Sequence, residues 1–323
     1  MKFGIIGYGA IGKLYAEIIA KRDDLHLISV CDTDQSISQI NEAVEHYEDY
    51  KTMILSSDLD AVIVAAPNYL HAPASLFALQ HGRHVLCEKP MAINIRDAEQ
   101  MVQKSKDTGK ALFVPHHFRY SDEVVKFYEL FNNGHVGDIV YVNSMFCERW
   151  LNAPDWYYQR EKSGGGTLID NGINAINLLI PVVGYPKILK ADFKFHLPGI
   201  DSKAVVYFSF NKSDNPNGFL MASWDDHEIR LTTIINNKGD IYLLNHKYDE
   251  FFVNGKRIPT LKDASKMEGY QSVSGLETAL HLEYERIVDH FVKGASAGNI
   301  NSELSFLSLK FVLESYGLAR NSF

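Results

Sequence analysis

The sequence has few cysteines and no long apolar run. Its 3 cysteines, Cys31, Cys87 and Cys147, are an odd number and lie far apart, so they favour buried, reduced thiols over a disulfide framework or a zinc site. No apolar stretch reaches the roughly 18 residues that a membrane span needs. The chain begins with a strand pattern instead of a charged and then apolar signal segment. These absences predict a cytoplasmic protein with no structural metal and no membrane partner.

Charge of one sign is not concentrated anywhere in the chain. The 40 acidic and 32 basic residues give a formal net charge of −8, and their even spread argues against a nucleic-acid partner. A length of 323 residues suits two domains of ordinary size. We therefore expect a globular protein of two domains.

The sequence does have a glycine-rich turn near its start. The apolar run Lys2–Ile6 opens into Gly7, Gly9 and Gly12, spaced G-x-G-x-x-G, and apolar residues follow at helical spacing. Gly7 permits the turn from strand to helix, Gly9 lets the backbone approach a pyrophosphate, and Gly12 allows the helix to pack closely on the strand. Phosphates are favoured at the helix N-terminus, because its N–H groups and dipole attract negative charge. The pattern predicts a dinucleotide-binding turn.

Asp32 strengthens this interpretation. It follows the apolar run His26–Cys31 and lies about 20 residues past Gly12, the separation expected for an acid that binds the ribose of a dinucleotide. A carboxylate there accepts hydrogen bonds from ribose hydroxyls and repels a 2′-phosphate. The sequence therefore predicts NAD, with NADP less favoured; the alternative is an ordinary βαβ unit with a polar strand end.

Strands alternate with helices as far as residue 118. The predicted strands are Lys2–Ile6, His26–Cys31, Leu59–Pro67, His84–Cys87 and Ala111–Pro115. Predicted helices follow the first strand, span Ser36–Tyr47, begin at Pro73, and run from a cap at Asn94 to Gly109. This alternation predicts an α/β Rossmann domain with a doubly wound parallel sheet over residues 1–118.

The pattern changes in residues 119–323. After a predicted helix at Glu123–Phe131, the predicted strands are Ile139–Cys147, Ile188–Phe195, Ala204–Phe210, Phe219–Trp224, Ile229–Ile235 and Ile241–Leu244. Hairpin-type turns occur at residues 237–240 and 254–255, and helices are predicted over Leu276–Val292 and Ser302–Ala319. We expect an α+β domain with a large, mostly antiparallel open sheet. One face of such a sheet is commonly free for subunit pairing, which predicts a homodimer or homotetramer.

Four stretches together resemble a known family. They are the glycine turn, Pro67-Asn68-Tyr69-Leu70-His71, Glu88-Lys89-Pro90, and the run from Gly164 to Asn174. Their order and spacing resemble the glucose-fructose oxidoreductase and inositol dehydrogenase (Gfo/Idh/MocA) family of NAD(P)-dependent enzymes, over nearly the whole chain. The resemblance implies hydride transfer between the nicotinamide and a secondary alcohol or ketone of a sugar, cyclitol or related polyol.

Lys89 is the first candidate catalytic residue. Ligands of open α/β sheets bind beyond the carboxyl ends of the strands, so Lys89 is expected near the nicotinamide. Its ammonium would stabilise an alkoxide-like substrate oxygen; a solvated lysine beside a structural proline is the alternative. The resemblance implies that this lysine contacts substrate and that the following proline is often cis.

Asp170 and Asn174 are the other two candidate catalytic residues. The resemblance implies an aspartate and, four residues later, a histidine that acts as general acid or base. Here the second position is Asn174, and an amide does not titrate near neutral pH. Lys89 is then the expected proton carrier, with His116 or His117 as alternatives; Asp170 is alternatively a helix-capping acid.

The predicted sites combine the motifs with the resemblance. The residues expected to bind the cofactor are Gly7, Gly9, Ala10, Ile11, Gly12, Asp32, Pro67, Asn68, His71, Glu88 and Lys89. The residues expected to bind the substrate are Lys89, Arg119, Tyr157, Asp170 and Asn174, with Tyr120, Arg149, Trp156 and Arg160 as further candidates for a substrate wall. The alternative function is a catalytically inactive NAD(H)-binding sensor or regulator, because Asn174 replaces the titrating residue.

Overall fold

The computed structural model of the protein consists of two compact units that are discontinuous in sequence. It describes residues 1–34, 43–150, 153–210, 215–260, 263, 277–298 and 302–320. The first unit contains Met1–Pro115, Glu161–Gly164 and Leu280–Phe306, and the second contains His116–Arg160, Gly165–Ala279 and Leu307–Phe323. The predicted division into domains 1–118 and 119–323 stays a prediction.

The first unit is built on a six-stranded parallel sheet. Its strands are β1 (Lys2–Ile6), β2 (His26–Cys31), β3 (Glu45–Tyr47), β4 (Ala61–Val64), β5 (His84–Cys87) and β6 (Leu112–Phe113). Their spatial order is β3-β2-β1-β4-β5-β6, so the order reverses next to β1. Ligands of such sheets bind at this reversal, beyond the strand ends. The predicted Rossmann architecture is confirmed.

Four helices lie between the strands in the described part of residues 1–115, and two of them differ from prediction. They are α1 (Ala10–Ala20), α2 (Tyr50–Ser56), α3 (Asn68–Gln80) and α4 (Ile95–Thr108). Helix α3 begins at Asn68 and not at Pro73, because the carbonyl of Pro67 already accepts the N–H of Leu70 at 2.8 Å. Pro73 lies inside the helix on its exposed face. Helix α2 was missed by the sequence reading, although Asp49 caps it by accepting the Thr52 N–H at 2.9 Å.

The helix predicted over Ser36–Tyr47 is wrong at its C-terminal end. Residues 45–47 form β3, which pairs in parallel with β2 through Ser29 and Glu45. Three residues are too few for periodicity to separate a strand from a helix. Residues 35–42 lie outside the described part of the chain.

The termini of α4 agree with prediction. The Asn94 side chain accepts the Asp97 N–H at 2.9 Å, and Gly109 ends the helix with a φ of 64°. Glycine adopts this left-handed conformation without a Cβ penalty, which is why it ends helices.

Helix α8 (Glu277–Ala297) completes the core of the first unit from late in the chain. The ring of Phe291 lies 6.2 Å from that of Phe3 on β1, and the ring of Tyr284 lies 5.1 Å from that of Tyr15 on α1. Phe3, Tyr15 and Phe291 are fully buried. A helix was predicted over Leu276–Val292; the observed helix continues to Ala297, and Leu276 is outside the described residues.

The second unit contains an eight-stranded, mostly antiparallel sheet. Its strands are β7 (Ile139–Cys147), β8 (Lys187–Leu197), β9 (Ile200–Ser209), β10 (Gly218–Ser223), β11 (Ile229–Asn236), β12 (Ile241–Asn245), β13 (Glu250–Val253) and β14 (Lys256–Ile258). Their order is β14-β13-β12-β11-β7-β10-β9-β8. Among the described strands of this sheet, only β7 and β10 pair in parallel. The predicted open antiparallel sheet is confirmed.

Turn chemistry accounts for the predicted hairpins. Strands β13 and β14 are joined at Asn254 and Gly255, whose φ angles are 51° and 77°. Two positive φ angles match the twist of a tight hairpin, and Asn-Gly tolerates them best. The turn at residues 237–240 joins β11 to β12 as expected.

Helices cover one face of this sheet. They are α5 (Asp122–Asn132), α7 (Ile173–Val183) and α9 (Glu303–Arg320). The short helix α6 (Arg160–Ser163) comes before α7 in the sequence, and both α6 and α9 belong only in part to this unit. A π-helical turn at Leu168–Gly172 leads into α7. On this face, α7 contacts β7 and the π-helical turn contacts β10. Helix α5 contacts β12 and β13.

One described stretch, Arg160–Val183, has the length and apolar character of a membrane span. The expectation that no stretch reaches this length is therefore wrong. Of its most apolar 18-residue window, 78% is buried inside the protein, as in the core helix of a globular fold.

Candidate functional site

The glycine turn joins β1 to α1 in the first unit. Gly7 has a φ of 88°, and a Cβ there would lie 2.6 Å from the carbonyl oxygen of Ala65. A Cβ on Gly12 would overlap the carbonyl oxygen of Gly7, whereas a Cβ on Gly9 would meet nothing within 4 Å. Gly7 and Gly12 are therefore required by packing, and Gly9 borders open space.

The N-terminus of α1 suits an anion. Gly9 is its N-cap, no side chain caps it, and its first turn contains no acidic residue. The first N–H groups of a helix lack acceptors within the helix. Their dipole and the open space beside Gly9 fit the pyrophosphate of a dinucleotide, with Ala10 and Ile11 among the residues that present N–H groups.

Asp32 lies directly after β2 and is tied to the glycine turn. Its Oδ2 accepts the N–H of Tyr8 at 2.6 Å, and its Oδ1 accepts the N–H of Asp34 at 3.0 Å. These bonds fix the carboxylate beside the turn. Each oxygen keeps further acceptor capacity, which fits the hydroxyls of a ribose.

His71 connects two of the predicted strand-end motifs. It is buried in α3, and its Nδ1 and Nε2 lie 2.6 Å from the Pro90 carbonyl oxygen and 2.7 Å from that of Ala66. Burial lowers the pKa of His71, and the two carbonyls oppose that shift. The ring therefore ties the end of β4 to the segment after Lys89, and the Lys89–Pro90 peptide bond is cis.

Glu88 is held by tyrosines. Its Oε1 accepts the hydroxyl of Tyr15 at 2.8 Å, and it also bonds the buried hydroxyl of Tyr284, whose pKa is raised by burial and by Glu88. The Lys89 N–H lies 3.3 Å from Glu88 Oε2. Lys89, which is half-buried, thus follows a residue anchored to α1 and α8.

Asn68 is buried at the start of α3, where its side-chain amide donates to the carbonyl of Ser163 at 2.9 Å. Pro67 precedes it as the N-cap residue. The first unit therefore brings together the glycine turn, Asp32, and the ends of β4 and β5.

Asp170, Asn174 and His116 lie together in the second unit. Asp170 and Asn174 are buried one helical turn apart, and the Asn174 amide is 3.4 Å from the Asp170 carbonyl oxygen. His116 is also buried, and its Nδ1 lies 3.1 Å from Asn174 Oδ1. With the amide nitrogen directed to the carbonyl, Oδ1 faces the ring and His116 Nδ1–H donates. The sequence offered His116 or His117 as an alternative proton carrier, and in the structure His116 is the one that contacts Asn174.

The predicted substrate residues Arg119 and Tyr157 are both half-buried in the second unit. The guanidinium of Arg119 lies 5.1 Å from the ring centroid of Tyr128 and 3.4 Å from the carbonyl oxygen of Asn177. Tyr157 packs edge-on against Trp150, with ring centroids 4.5 Å apart. Trp156 and Trp224 extend this aromatic group. Lys89 belongs to the first unit, and Asp170 and Asn174 belong to the second.

Sequence reasoning missed several residues that hold these positions. Tyr15 matched the helical spacing of core residues, so its hydroxyl contact with Glu88 gave no signal, and Tyr284 lies almost 200 residues from Glu88. Asp201 and Tyr316, which contact the glycine run, stand inside a strand and a helix without any motif. Such contacts between distant segments are visible only in the folded chain.

Two models of known protein families match this chain, one in its N-terminal part and one in its C-terminal part. Residues 1–116 match the family described as "Oxidoreductase family, NAD-binding Rossmann fold", and residues 124–242 match the "GFO/IDH/MocA C-terminal domain". The two matches together cover more than half of the 323 residues.

Several curated proteins are similar over part of the chain. The D-glucoside 3-dehydrogenase of Escherichia coli (strain K12) is 34% identical over 197 residues, which are 58% of this chain and 55% of that protein. The scyllo-inositol 2-dehydrogenase (NADP(+)) of Bacillus subtilis (strain 168) is 29% identical over 234 residues, which are 65% of this chain and 67% of that protein. The match thus spans about half the length of the first of these relatives.

Solved structures share the fold over almost the whole chain. A levoglucosan dehydrogenase in complex with NADH has a TM-score of 0.83 at 19% identity, covering 99% of this chain and 96% of that chain. At this identity the likeness concerns the fold.

Proposed function

Because the chain belongs to the Gfo/Idh/MocA oxidoreductase family, with its NAD-binding Rossmann fold, we propose that it is an NAD-dependent dehydrogenase or reductase. Its substrate would be a secondary alcohol or ketone of a sugar, cyclitol or related polyol. One observation carries the proposal. The uncapped N-terminus of α1 and Asp32 flank a glycine turn with open space at Gly9, in the unit that also holds Lys89.

The proposed chemistry assigns a role to each residue. The nicotinamide, when bound, accepts or donates the hydride. The Lys89 ammonium donates to the substrate oxygen and stabilises its developing negative charge. Asp170 and Asn174, one turn apart, hold substrate hydroxyls, and Arg119 with Tyr157 completes the proposed substrate set. Two relatives are named for a glucoside and an inositol, which supports a polyol here.

Replacing Lys89 tests the proposal. Lys89→Met should lower turnover by about 10² to 10³, because loss of one preorganised donor commonly costs this much, while NADH affinity stays within about three-fold. A panel of sugars and cyclitols, with NAD reduction followed by absorbance, measures turnover, and fluorescence titration measures NADH binding. Lys162→Met, a second lysine of the same unit, is the matched control. Full activity of Lys89→Met would refute the assignment.

The proton released on alcohol oxidation needs an acceptor. We propose that Lys89 accepts it as the neutral amine and that, in the reverse reaction, the Lys89 ammonium returns it to the ketone oxygen. The bond between His116 and Asn174 favours His116 as a second candidate. A limb of the pH–rate profile that disappears in Lys89→Arg assigns the proton to Lys89, because arginine stays protonated. A limb near the ordinary histidine pKa of about 6.5 that vanishes in His116→Gln, and not in His117→Gln, assigns it to His116.

A sensor or regulator is the second candidate function, and the amide at Asn174 is the observation that favours it. Tight NADH binding without turnover of any substrate in the panel would support this function. Turnover that Lys89→Met abolishes would exclude it.

A homodimer or homotetramer through the open sheet, and a cytoplasmic location, are part of the same proposal. On the sheet face away from α5 and α7, cross-strand neighbours Met145, Met221 and Leu231 are apolar and half-buried. A second copy of the chain, presenting the same face, is the proposed occupant.

A further inference from the structure

We propose that Asp201 and Tyr316 are positioning residues for the reaction, because they hold the glycine run and the beginning of the helical segment that carries Asp170. This inference rests on the proposed function, which assigns Asp170 to the substrate. Asp201 lies on β9 and Tyr316 on α9, and both belong to the second unit.

The carboxylate of Asp201 accepts three hydrogen bonds while it is fully buried. Oδ1 accepts the backbone N–H of Gly166 at 2.8 Å and the hydroxyl of Tyr316 at 2.7 Å, and Oδ2 accepts the N–H of Leu168 at 2.8 Å. N–H groups at the beginning of a helical segment lack acceptors within it. Asp201 supplies these acceptors from strand β9, in the way that a local capping side chain does at other helices.

Charge also favours this arrangement. Burial raises the pKa of Asp201, while the Tyr316 hydroxyl and the N–H groups of Leu168 and Gly166 lower it. The N-terminal end of the helical segment carries partial positive charge, which adds to the stabilisation of the carboxylate. Burial and Asp201 raise the pKa of Tyr316 well above its ordinary value, so its hydroxyl keeps the proton that it donates.

The glycine run is shaped around these two residues. A Cβ on Gly166 would overlap the backbone of Asp201, and a Cβ on Gly165 would overlap the hydroxyl of Tyr316. The absence of a Cβ at Gly165 and Gly166 admits a close neighbour. Within the second unit, that neighbour is protein, from β9 and α9.

Tyr316 is itself fixed by its surroundings. Its ring stacks on Phe193 with centroids 5.3 Å apart, and the guanidinium of Arg160 lies 5.4 Å from its centroid. Arg160 also donates to the carbonyl of Gly199 at 2.9 Å, just before β9. Arg160, a candidate for the substrate wall, is thus bonded to the segment that carries Asp201.

The distance from this anchor to the proposed site is one helical turn. The N–H of Asp170 donates to the carbonyl of Gly166 at 3.2 Å, and Asn174 follows one turn later. Any tilt at Gly166 therefore moves both residues together. A displacement of about 1 Å at a reacting group costs up to about 10²-fold in rate.

Tyr316→Phe removes one hydroxyl and tests the inference. We expect kcat to fall about 10-fold, with NADH affinity unchanged and with faster amide hydrogen exchange at Gly166 and Leu168. Tyr185→Phe is the matched control, because its hydroxyl donates to Glu314 on the same helix, also at 2.7 Å, but at the surface. Asp201→Asn is the second variant, with the same expected direction.

A combined variant separates positioning from general stability. In a background that carries both Asp170→Ala and Asn174→Ala, Tyr316→Phe should change kcat by less than about two-fold, because both residues that it positions are gone. An undiminished loss in that background, or unchanged amide exchange at 166–168, would overturn the inference. Absence of turnover in the wild type, or a wild-type rate in Asp170→Ala, would instead count against the proposed function. In either case, the rate of amide hydrogen exchange at residues 166–168 still shows whether Asp201 and Tyr316 anchor that segment.

Discussion

At the scale of single residues, Asp32 sets the expected cofactor preference. Its carboxylate is fixed after β2 by the N–H groups of Tyr8 and Asp34, so a 2′-phosphate would approach an immobile negative charge. NADH should bind at least about ten-fold more tightly than NADPH, which is about 1.4 kcal/mol. Calorimetric titration measures both affinities. Asp32→Ala should narrow the difference and Asp34→Ala should not; equal affinities in the wild type would contradict the assignment.

The buried thiols predict how stability depends on pH. Burial raises the pKa of Cys31 to about 12 and that of Cys147 to about 11. Above about pH 9 the unfolded chain loses these protons while the folded chain keeps them, so the free energy of unfolding falls as the pH rises. Urea unfolding at pH 8 and pH 10.5 measures this fall. The double variant Cys31→Ala, Cys147→Ala should show a shallower decline, and an identical decline would refute the explanation.

At the scale of elements, the turn before α1 separates packing from cofactor binding. A Cβ on Gly9 meets nothing within 4 Å, whereas a Cβ on Gly12 overlaps the Gly7 carbonyl. Gly12→Ala should lower the free energy of unfolding by about 1–3 kcal/mol. Gly9→Ala should leave stability unchanged and weaken NADH binding by about ten-fold or more. Denaturant unfolding and NADH titration of both variants check this; equal effects of the two on stability would contradict it.

The sequence predicted some elements better than others. Strands β1, β2, β5 and β7 match their predicted bounds, because compact apolar runs carry a strong signal for buried strands. The start of α3 was misplaced, since Pro73 is typical of a helix beginning but here lies within one. Motifs predicted Lys89 and Asp170 as site residues, yet the contact between Asp201 and Tyr316 joins segments more than 100 residues apart. No local pattern encodes such contacts.

At the scale of the whole molecule, the open sheet face predicts association. Met145 on the central strand β7 is flanked by Met221 and Leu231, so Met145→Glu should place a charge inside the proposed contact. Sedimentation should show a dimer or tetramer for the wild type and a smaller species for Met145→Glu. Leu55→Glu, at an exposed leucine of the first unit, is the control. A monomeric wild type would contradict the proposal.

The discontinuity of the two units has a consequence for how the protein is made in the cell. The first unit is completed by Leu280–Phe306, and the second by the residues from Leu307 onward. Domains generally fold in order as the chain leaves the ribosome. Here β1 emerges first, but Phe291, which packs on Phe3, emerges almost 290 residues later. Part of the core of the nascent Rossmann sheet therefore stays uncovered until translation has passed Phe291.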